Sequence, residues 1–353
     1  MLLGLGLNLN KGGFVSVPYH SVLASAFRSR VQSDGGEVGN ISCLKSELKE
    51  LNPTKPAAFT GLLNDYSGAA AAYSLRLLDN TYSGNAIKVR RSSDNAEQDI
   101  AFVNNELDTA SLETFAGAGD AFVTTWYDQS GSGNDATQTT ASAQPKIVSS
   151  GSTILENGKP AVSYDGGDNL LIWNNTTAPT LFQDMSDAIS VLLVEKATAI
   201  SNSNGSWFNG NTTFELRENS NATGTGVTFS IGYSNYTFGF GVSDNYTTNA
   251  EIEFSGTITS AQRLSASFVN GDNLDVYLNS SSGISTTFTT ATGDRSVGTG
   301  NSTLVIGSRS RDSGQADTSY FLGTMQEIVL YKSNESANRT GIETNINDFY
   351  SIY

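Results

Sequence analysis

The densest run of potential ligands in the chain is Asp128-Gln129-Ser130-Gly131-Ser132-Gly133-Asn134-Asp135, where carboxylate, amide and hydroxyl oxygens crowd a glycine-rich loop. Hard oxygen donors of this kind hold calcium, and Asp128, Asn134 and Asp135 are the candidate ligands. The run lacks the spacing of an EF-hand and its closing bidentate Glu. The same side chains bonding their own backbone make a tight turn that needs no metal. No cofactor is required, and calcium stays open. Tyr164-Asp165-Gly166-Gly167-Asp168-Asn169-Leu170 is a second acidic, glycine-rich turn and reads as structural. An aromatic cluster, Trp207, Phe208, Tyr233, Tyr236, Phe238, Phe240 and Tyr246, offers ring faces that stack on the apolar faces of pyranose sugars. Trp207, Tyr236 and Tyr246 are its candidates for carbohydrate binding. The alternation in Tyr236-Thr237-Phe238-Gly239-Phe240 equally describes one buried face of a strand. His20 is the only histidine and reads as structural, which leaves Ser-His-Asp or Cys-His catalysis almost nothing to use. Cys43 is the only cysteine, so an intrachain disulfide and a cysteine metal cluster are excluded.

Loops and rings of this kind need a rigid frame to aim them. With 35 Gly, 14 Tyr and 17 Phe but only 6 Pro among 353 residues, the composition suits short strands joined by many turns. An apolar fraction of 38% and an aromatic fraction of 10% supply enough core material for a folded protein. All-β sandwiches exceed 200 residues as one core, so a single large domain is allowed. The formal charge of −15, from 20 basic and 35 acidic residues, comes with no basic stripe. That excludes nucleic acid as a partner and disfavours anionic membranes. The run Leu2-Leu3-Gly4-Leu5-Gly6-Leu7 is too short for membrane insertion and has no basic leader, so no signal peptide is read there.

The pattern predicts an all-β fold, an antiparallel two-sheet sandwich over 57–353, behind an attachment segment over 1–56. In that segment Leu3, Leu5 and Leu7 alternate with Gly and Asn as a strand would, and Ile41, Leu44, Leu48 and Leu51 share one face of a helix over 40–52. Leu3, Leu5, Leu7, Leu44 and Leu48 are the candidates for docking on another subunit; the helix equally fits a satellite packed on the domain. Asn52-Pro53-Thr54-Lys55-Pro56 marks the linker. Strands are expected at 86–91, 121–127, 189–196, 226–233, 236–242, 252–258, 262–269, 274–278, 303–307 and 323–331. Asn270-Gly271-Asp272-Asn273 predicts a hairpin that pairs Leu264–Val269 with Leu274–Leu278. Ile342, Ile346 and Phe349 predict a closing helix within 335–352, on one edge or end of the sandwich.

Tyr73-Ser74-Leu75-Arg76-Leu77-Leu78, then Ala86-Ile87-Lys88-Val89-Arg90-Arg91-Ser92-Ser93-Asp94, then Val123-Thr124-Thr125-Trp126-Tyr127-Asp128-Gln129-Ser130-Gly131-Ser132-Gly133-Asn134-Asp135 together resemble the catalytic domain of α-L-arabinofuranosidase B. Asp275-Val276-Tyr277-Leu278-Asn279 and the run Phe321 to Tyr331 are similar to concanavalin A-like and laminin G-like sandwiches, so the resemblance implies a concanavalin A-like jelly roll. Versions of this domain are similar to segments of bacteriophage tail and other virion proteins. On that basis the expected function is a virion structural protein of fibre or decoration type. It would be assembled in the host cytoplasm, held to other virion subunits through residues 1–56 as a homo-oligomer, and would face host-surface glycan with a lectin-like domain. The alternative is an arabinofuranosidase-like glycoside hydrolase acting on cell-surface polysaccharide. A retaining glycosidase needs two carboxyl groups about 5 Å apart. The resemblance places its nucleophile shortly after a Gly-Asn pair, matched here by Gly210-Asn211-Thr212-Thr213 with Thr at the corresponding position, and Glu215 two residues on. A two-residue shift in a strand moves a side chain by about 6–7 Å, enough to spoil the pair unless a bulge compensates. Its acid/base Asp follows an Ile-Gly stretch, and Asp312 after Ile306-Gly307 is the nearest candidate. The paired cysteines of that family have no counterpart.

Overall fold

The computed structural model describes residues 59–353 apart from 176–187, 199–210, 220–226, 235–236, 245–247, 256–260, 271–272, 288–300 and 311–315. Leu3, Leu5, Leu7, Leu44 and Leu48, the helix expected over 40–52 and the 56/57 boundary lie outside the described residues, as do Trp207, Tyr236, Tyr246 and Asp312.

The described chain is an antiparallel all-β sandwich with a C-terminal helix. One layer sets Asn273–Leu278, Arg263–Asn270, Ala188–Ala197 and Leu322–Tyr331 side by side. The far edge of Leu322–Tyr331 is shared: its C-terminal half pairs with Ala69–Ser74 (Ser74↔Glu327) and its N-terminal half with Val162–Asp165 (Val162↔Met325). The ladder continues through Lys146–Ser149, Ala121–Trp126, Ile87–Arg91 and Glu97–Ile100. The second layer runs Leu170–Asn175, Asn301–Ile306, Asn211–Asn219, Val227–Ser234, Thr237–Asp244 and Thr248–Ser255. Ala136–Thr137 pairs with both Ala121–Trp126 and Leu170–Asn175 and so stitches the layers together.

Tyr73, Trp126, Val191, Leu193 and Ile328 of the first layer and Phe214, Ile231, Ile252 and Ile306 of the second belong to one apolar core. The opposite face of the first layer is buried as well. Leu192, Val194, Leu264, Phe268 and Val329 pack there with Leu62 and Leu63 of the short helix Leu62–Asp65 and with Ile342, Ile346 and Tyr350 of the helix Arg339–Tyr350. Burial on both faces explains why Ala188–Ala197 and Leu322–Tyr331 carry nearly unbroken buried runs in place of alternation. The closing helix thus forms where Ile342 and Ile346 predict it, but it covers a sheet face rather than an edge. The predicted hairpin pairs as expected, with Val269 opposite Leu274 and Asn270 opposite Asn273. Among the described residues no helix is long and apolar enough to cross a membrane.

Candidate functional site

The loop after Trp126 is built by its own carboxylates. Asp128 Oδ1 accepts the backbone N–H groups of Ala72 (2.8 Å) and Ser130 (2.9 Å), and its Oδ2 accepts the Ser130 hydroxyl (2.8 Å) and Asn134 N–H (3.0 Å). Asp135 Oδ1 accepts Asp128 N–H at 2.9 Å, and Asn134 Nδ2 donates to the Ala70 carbonyl at 2.8 Å. Gln129 does the same for the neighbouring segment: its Oε1 accepts Leu78 N–H, and its Nε2 donates to the Ser74 and Arg76 carbonyls. The loop therefore holds the strand Ala69–Ser74 and its continuation in place. Among the described residues no group of three or more Asp, Glu, His or Cys side chains gathers where it could hold a metal.

Glu215 lies on Asn211–Asn219, in the middle of the second layer, opposite Ser230 on one side and Val305 on the other. This strand carries a β-bulge: Thr212 pairs with Gly232, yet Phe214 already pairs with Ile231. Thr213 is the extra residue, and because the bulge breaks strand alternation both Thr213 and Phe214 are fully buried. The bulge absorbs one of the two residues separating Glu215 from the expected nucleophile position and leaves one ladder step, about 3.3 Å, and a one-residue step alternates the sheet face. Gly307, at φ +88°, donates its N–H to the Thr213 carbonyl at 2.8 Å and accepts from Phe321 N–H at 2.8 Å. Beyond it Ser308–Ser310 and Ala316–Tyr320 form a hairpin, and Tyr320 also pairs in parallel with Thr212. That register sends Ser310 and Ala316 from Thr212 toward the Asn211 side, away from Glu215. Asp312, which falls between these two strands, is outside the described residues.

A cleft of about 420 Å³ opens over three neighbouring strands of the first layer. Phe122, Lys146 and Ser163 stand in one cross-strand row beneath it, Lys146 being the ladder partner of both others. Arg90 braces one wall: its Nε donates to Gln144 Oε1 at 2.7 Å while its guanidinium carbon sits 4.8 Å from the Phe122 ring centre. Lys146 Nζ lies 5.5 Å from the same ring and 2.7 Å from Asp120 Oδ2. The other wall is the turn 165–168. Asp168 Oδ2 accepts Asp165 N–H at 2.8 Å, and Asp165 Oδ1 accepts Gly167 N–H at 3.0 Å. Asp168 is 5% exposed. Burial pushes its carboxyl up to about 7; Asp165 N–H opposes the rise, the Asp165 charge adds to it, and Lys146 offsets part of it. The sequence marks this turn as structural. It is self-bonded as expected, and it is also the wall of a cleft. The cleft was not legible because Phe122, Lys146 and Ser163 meet only through long-range strand register.

Residues 65–165 match the family model described as the catalytic domain of α-L-arabinofuranosidase B. Among solved structures, a GH54 α-L-arabinofuranosidase soaked with a cyclic sulfate inhibitor aligns at a TM-score of 0.53 and 17% identity. An arabinofuranosidase complexed with arabinofuranosyl-α-1,2-xylobiose aligns at a TM-score of 0.52 and 18% identity. Each alignment covers 79% of this chain and 62% of the other, so the chain spans less than two thirds of those proteins' length. A comparison with curated proteins gives no match. At these identities the structural likeness shows the sandwich fold, and the family match is a similarity confined to residues 65–165. The expectation of a bacteriophage virion structural protein is overturned: the family match is to the catalytic domain of α-L-arabinofuranosidase B, and none of these matches is to a virion, fibre or decoration protein.

Proposed function

We propose that the chain is an arabinofuranosidase-like glycoside hydrolase that removes α-L-arabinofuranosyl units from polysaccharide. The observation that carries this reading is the α-L-arabinofuranosidase B match over residues 65–165. Its most distinctive stretch, Tyr127 to Asn134, makes the knot of buried hydrogen bonds that fixes the first strand of the sandwich. Fold does not carry chemistry with it, so the site needs support of its own. The bulge at Thr213 does not give it, because the one-residue step that remains alternates the sheet face. Glu215, the carboxylate nearest in sequence to the position the resemblance gives the nucleophile, is the one we assign to attack on the anomeric carbon; Asp312 is the sequence-level candidate for acid/base, although the strands that flank it run away from Glu215. A two-carboxylate mechanism uses only protein groups, and it needs the second carboxyl to protonate the departing oxygen and then to activate water. Incubation of the full chain with arabinan and with arabinoxylan, followed by chromatography of the free sugars, tests the reading. Release of arabinose supports it; a folded protein that releases none from either polymer contradicts it.

A further inference from the structure

We propose that the cleft over Phe122, Lys146 and Ser163 is a separate binding site for a neutral, hydroxyl-rich ligand, namely one saccharide unit of a polysaccharide chain. The size fits: small-molecule sites occupy roughly 300–1,000 Å³, and this one measures about 420 Å³. The lining selects the class. Asp165 faces any anion with negative charge, while Lys146, with Arg90 behind the Phe122 ring, opposes a cationic guest. A molecule that both donates and accepts hydrogen bonds without net charge is served by the polar groups of the lining, and Phe122 and Ile154 offer it apolar contact. Vicinal hydroxyls can donate to the Asp165 carboxylate and accept from Lys146, and the Ser142 and Ser163 hydroxyls do either.

The site is also built in advance. Arg90 fixes Gln144, Asp120 fixes Lys146, and the turn 165–168 is locked by its two backbone-to-carboxylate hydrogen bonds. A ligand therefore meets a wall that is already ordered and does not have to order it. Among the described residues none of the Glu215 strand lines the cleft, so this inference does not rest on Glu215 being catalytic.

The test is saturation-transfer NMR on the full chain with L-arabinose, methyl α-L-arabinofuranoside, D-xylose, D-galactose and D-glucose as probes, repeated in three variants. Asp165→Asn keeps an acceptor for Gly167 N–H but removes the charge. Ser142→Trp places a bulky ring at an exposed position on the rim. Glu215→Gln leaves the cleft untouched. The expected result is that at least one sugar binds wild type and Glu215→Gln alike, binds Asp165→Asn about tenfold more weakly, consistent with loss of one charge-assisted hydrogen bond, and is excluded by Ser142→Trp. If none of the five sugars binds wild type, or if binding is unchanged in both cleft variants, the proposal is overturned. Binding that is lost only in Glu215→Gln assigns the sugar to the hydrolytic site and likewise overturns it.

Discussion

The Arg76 guanidinium and the Glu327 carboxylate form a two-pronged ion pair inside the protein, Nε to Oε2 at 2.7 Å and Nη2 to Oε1 at 2.8 Å. The same Oε2 accepts from the Ser74 hydroxyl at 2.8 Å and from the Tyr350 hydroxyl at 3.1 Å, and Arg76 Nη1 reaches Asn345 Oδ1 at 2.8 Å. Three distant parts of the chain, the first strand, the last strand and the C-terminal helix, thus meet at one buried charge pair. A pair buried in this way contributes little over an apolar replacement, but removing one partner leaves the other charge stranded. Glu327→Ala is expected to lower unfolding stability by about 3–5 kcal/mol. Urea denaturation checks this, and a loss below about 1 kcal/mol would show that the pair is solvated after all.

Both oxygens of Asp128 are occupied by protein donors, two of them backbone N–H groups on other turns of the loop and one on the neighbouring strand. Asp128→Ala strands these donors and is expected to cost about 2–4 kcal/mol, from the penalty of each unsatisfied buried group. Calcium would have to displace them. Thermal unfolding in excess calcium and in a chelator is therefore expected to coincide, and a calcium-dependent rise in melting temperature would restore the cation reading of Asp128, Asn134 and Asp135.

The raised pKa of Asp168 fixes the sign of a pH effect. Its carboxyl holds a proton up to about 7 in the folded chain, against an ordinary value of 3.8. Between those values the unfolded chain has released the proton and the folded chain has not, so ionisation favours unfolding as pH rises. Stability from this group is whole below about pH 4 and is lost progressively toward pH 7. In Asp168→Asn, whose amide oxygen can still accept Asp165 N–H, the pH dependence of the urea midpoint across this window should flatten. A steeper slope in the variant would contradict the assignment.

Gly307 holds the junction between the bulged strand and the hairpin at φ +88°. A Cβ there would lie 2.5 Å from the Tyr164 ring and 3.1 Å from the Asp168 carbonyl oxygen. Gly307→Ala is expected to lose about 2 kcal/mol through backbone strain alone, with the ring clash added. Calorimetric melting of the two proteins gives the comparison; an unchanged melting temperature would mean that the junction can relax.

Local signals made much of this architecture legible. Val191 to Val194 and Ile328 to Leu330 are β-branched and apolar runs, and Asn270 to Asn273 encodes its own turn, so these elements fall close to where the sequence places them. The strand Ala69–Ser74 went unread because four alanines carry no β preference; only pairing with Leu322–Tyr331 and the Asp128 knot make it a strand. Asn211–Asn219 is polar enough to read as loop, and its bulge depends on the register of its neighbours. The Arg76–Glu327 pair joins residues 251 positions apart. Both residues stand in motifs visible in the sequence, but nothing local says that they touch. The cleft residues share this difficulty. Trp207, Tyr236, Tyr246 and Asp312 fall outside the described residues, so their roles rest on sequence alone.

The measurement that bears most directly on the central claim is release of 4-nitrophenol from 4-nitrophenyl α-L-arabinofuranoside by wild type and by Glu215→Gln, with circular dichroism melts confirming that both are folded. Glycoside hydrolysis by the assigned carboxylate predicts turnover by wild type and a fall of about a thousandfold in kcat for Glu215→Gln. A folded wild type with no turnover, or a Glu215→Gln variant as fast as wild type, would contradict it.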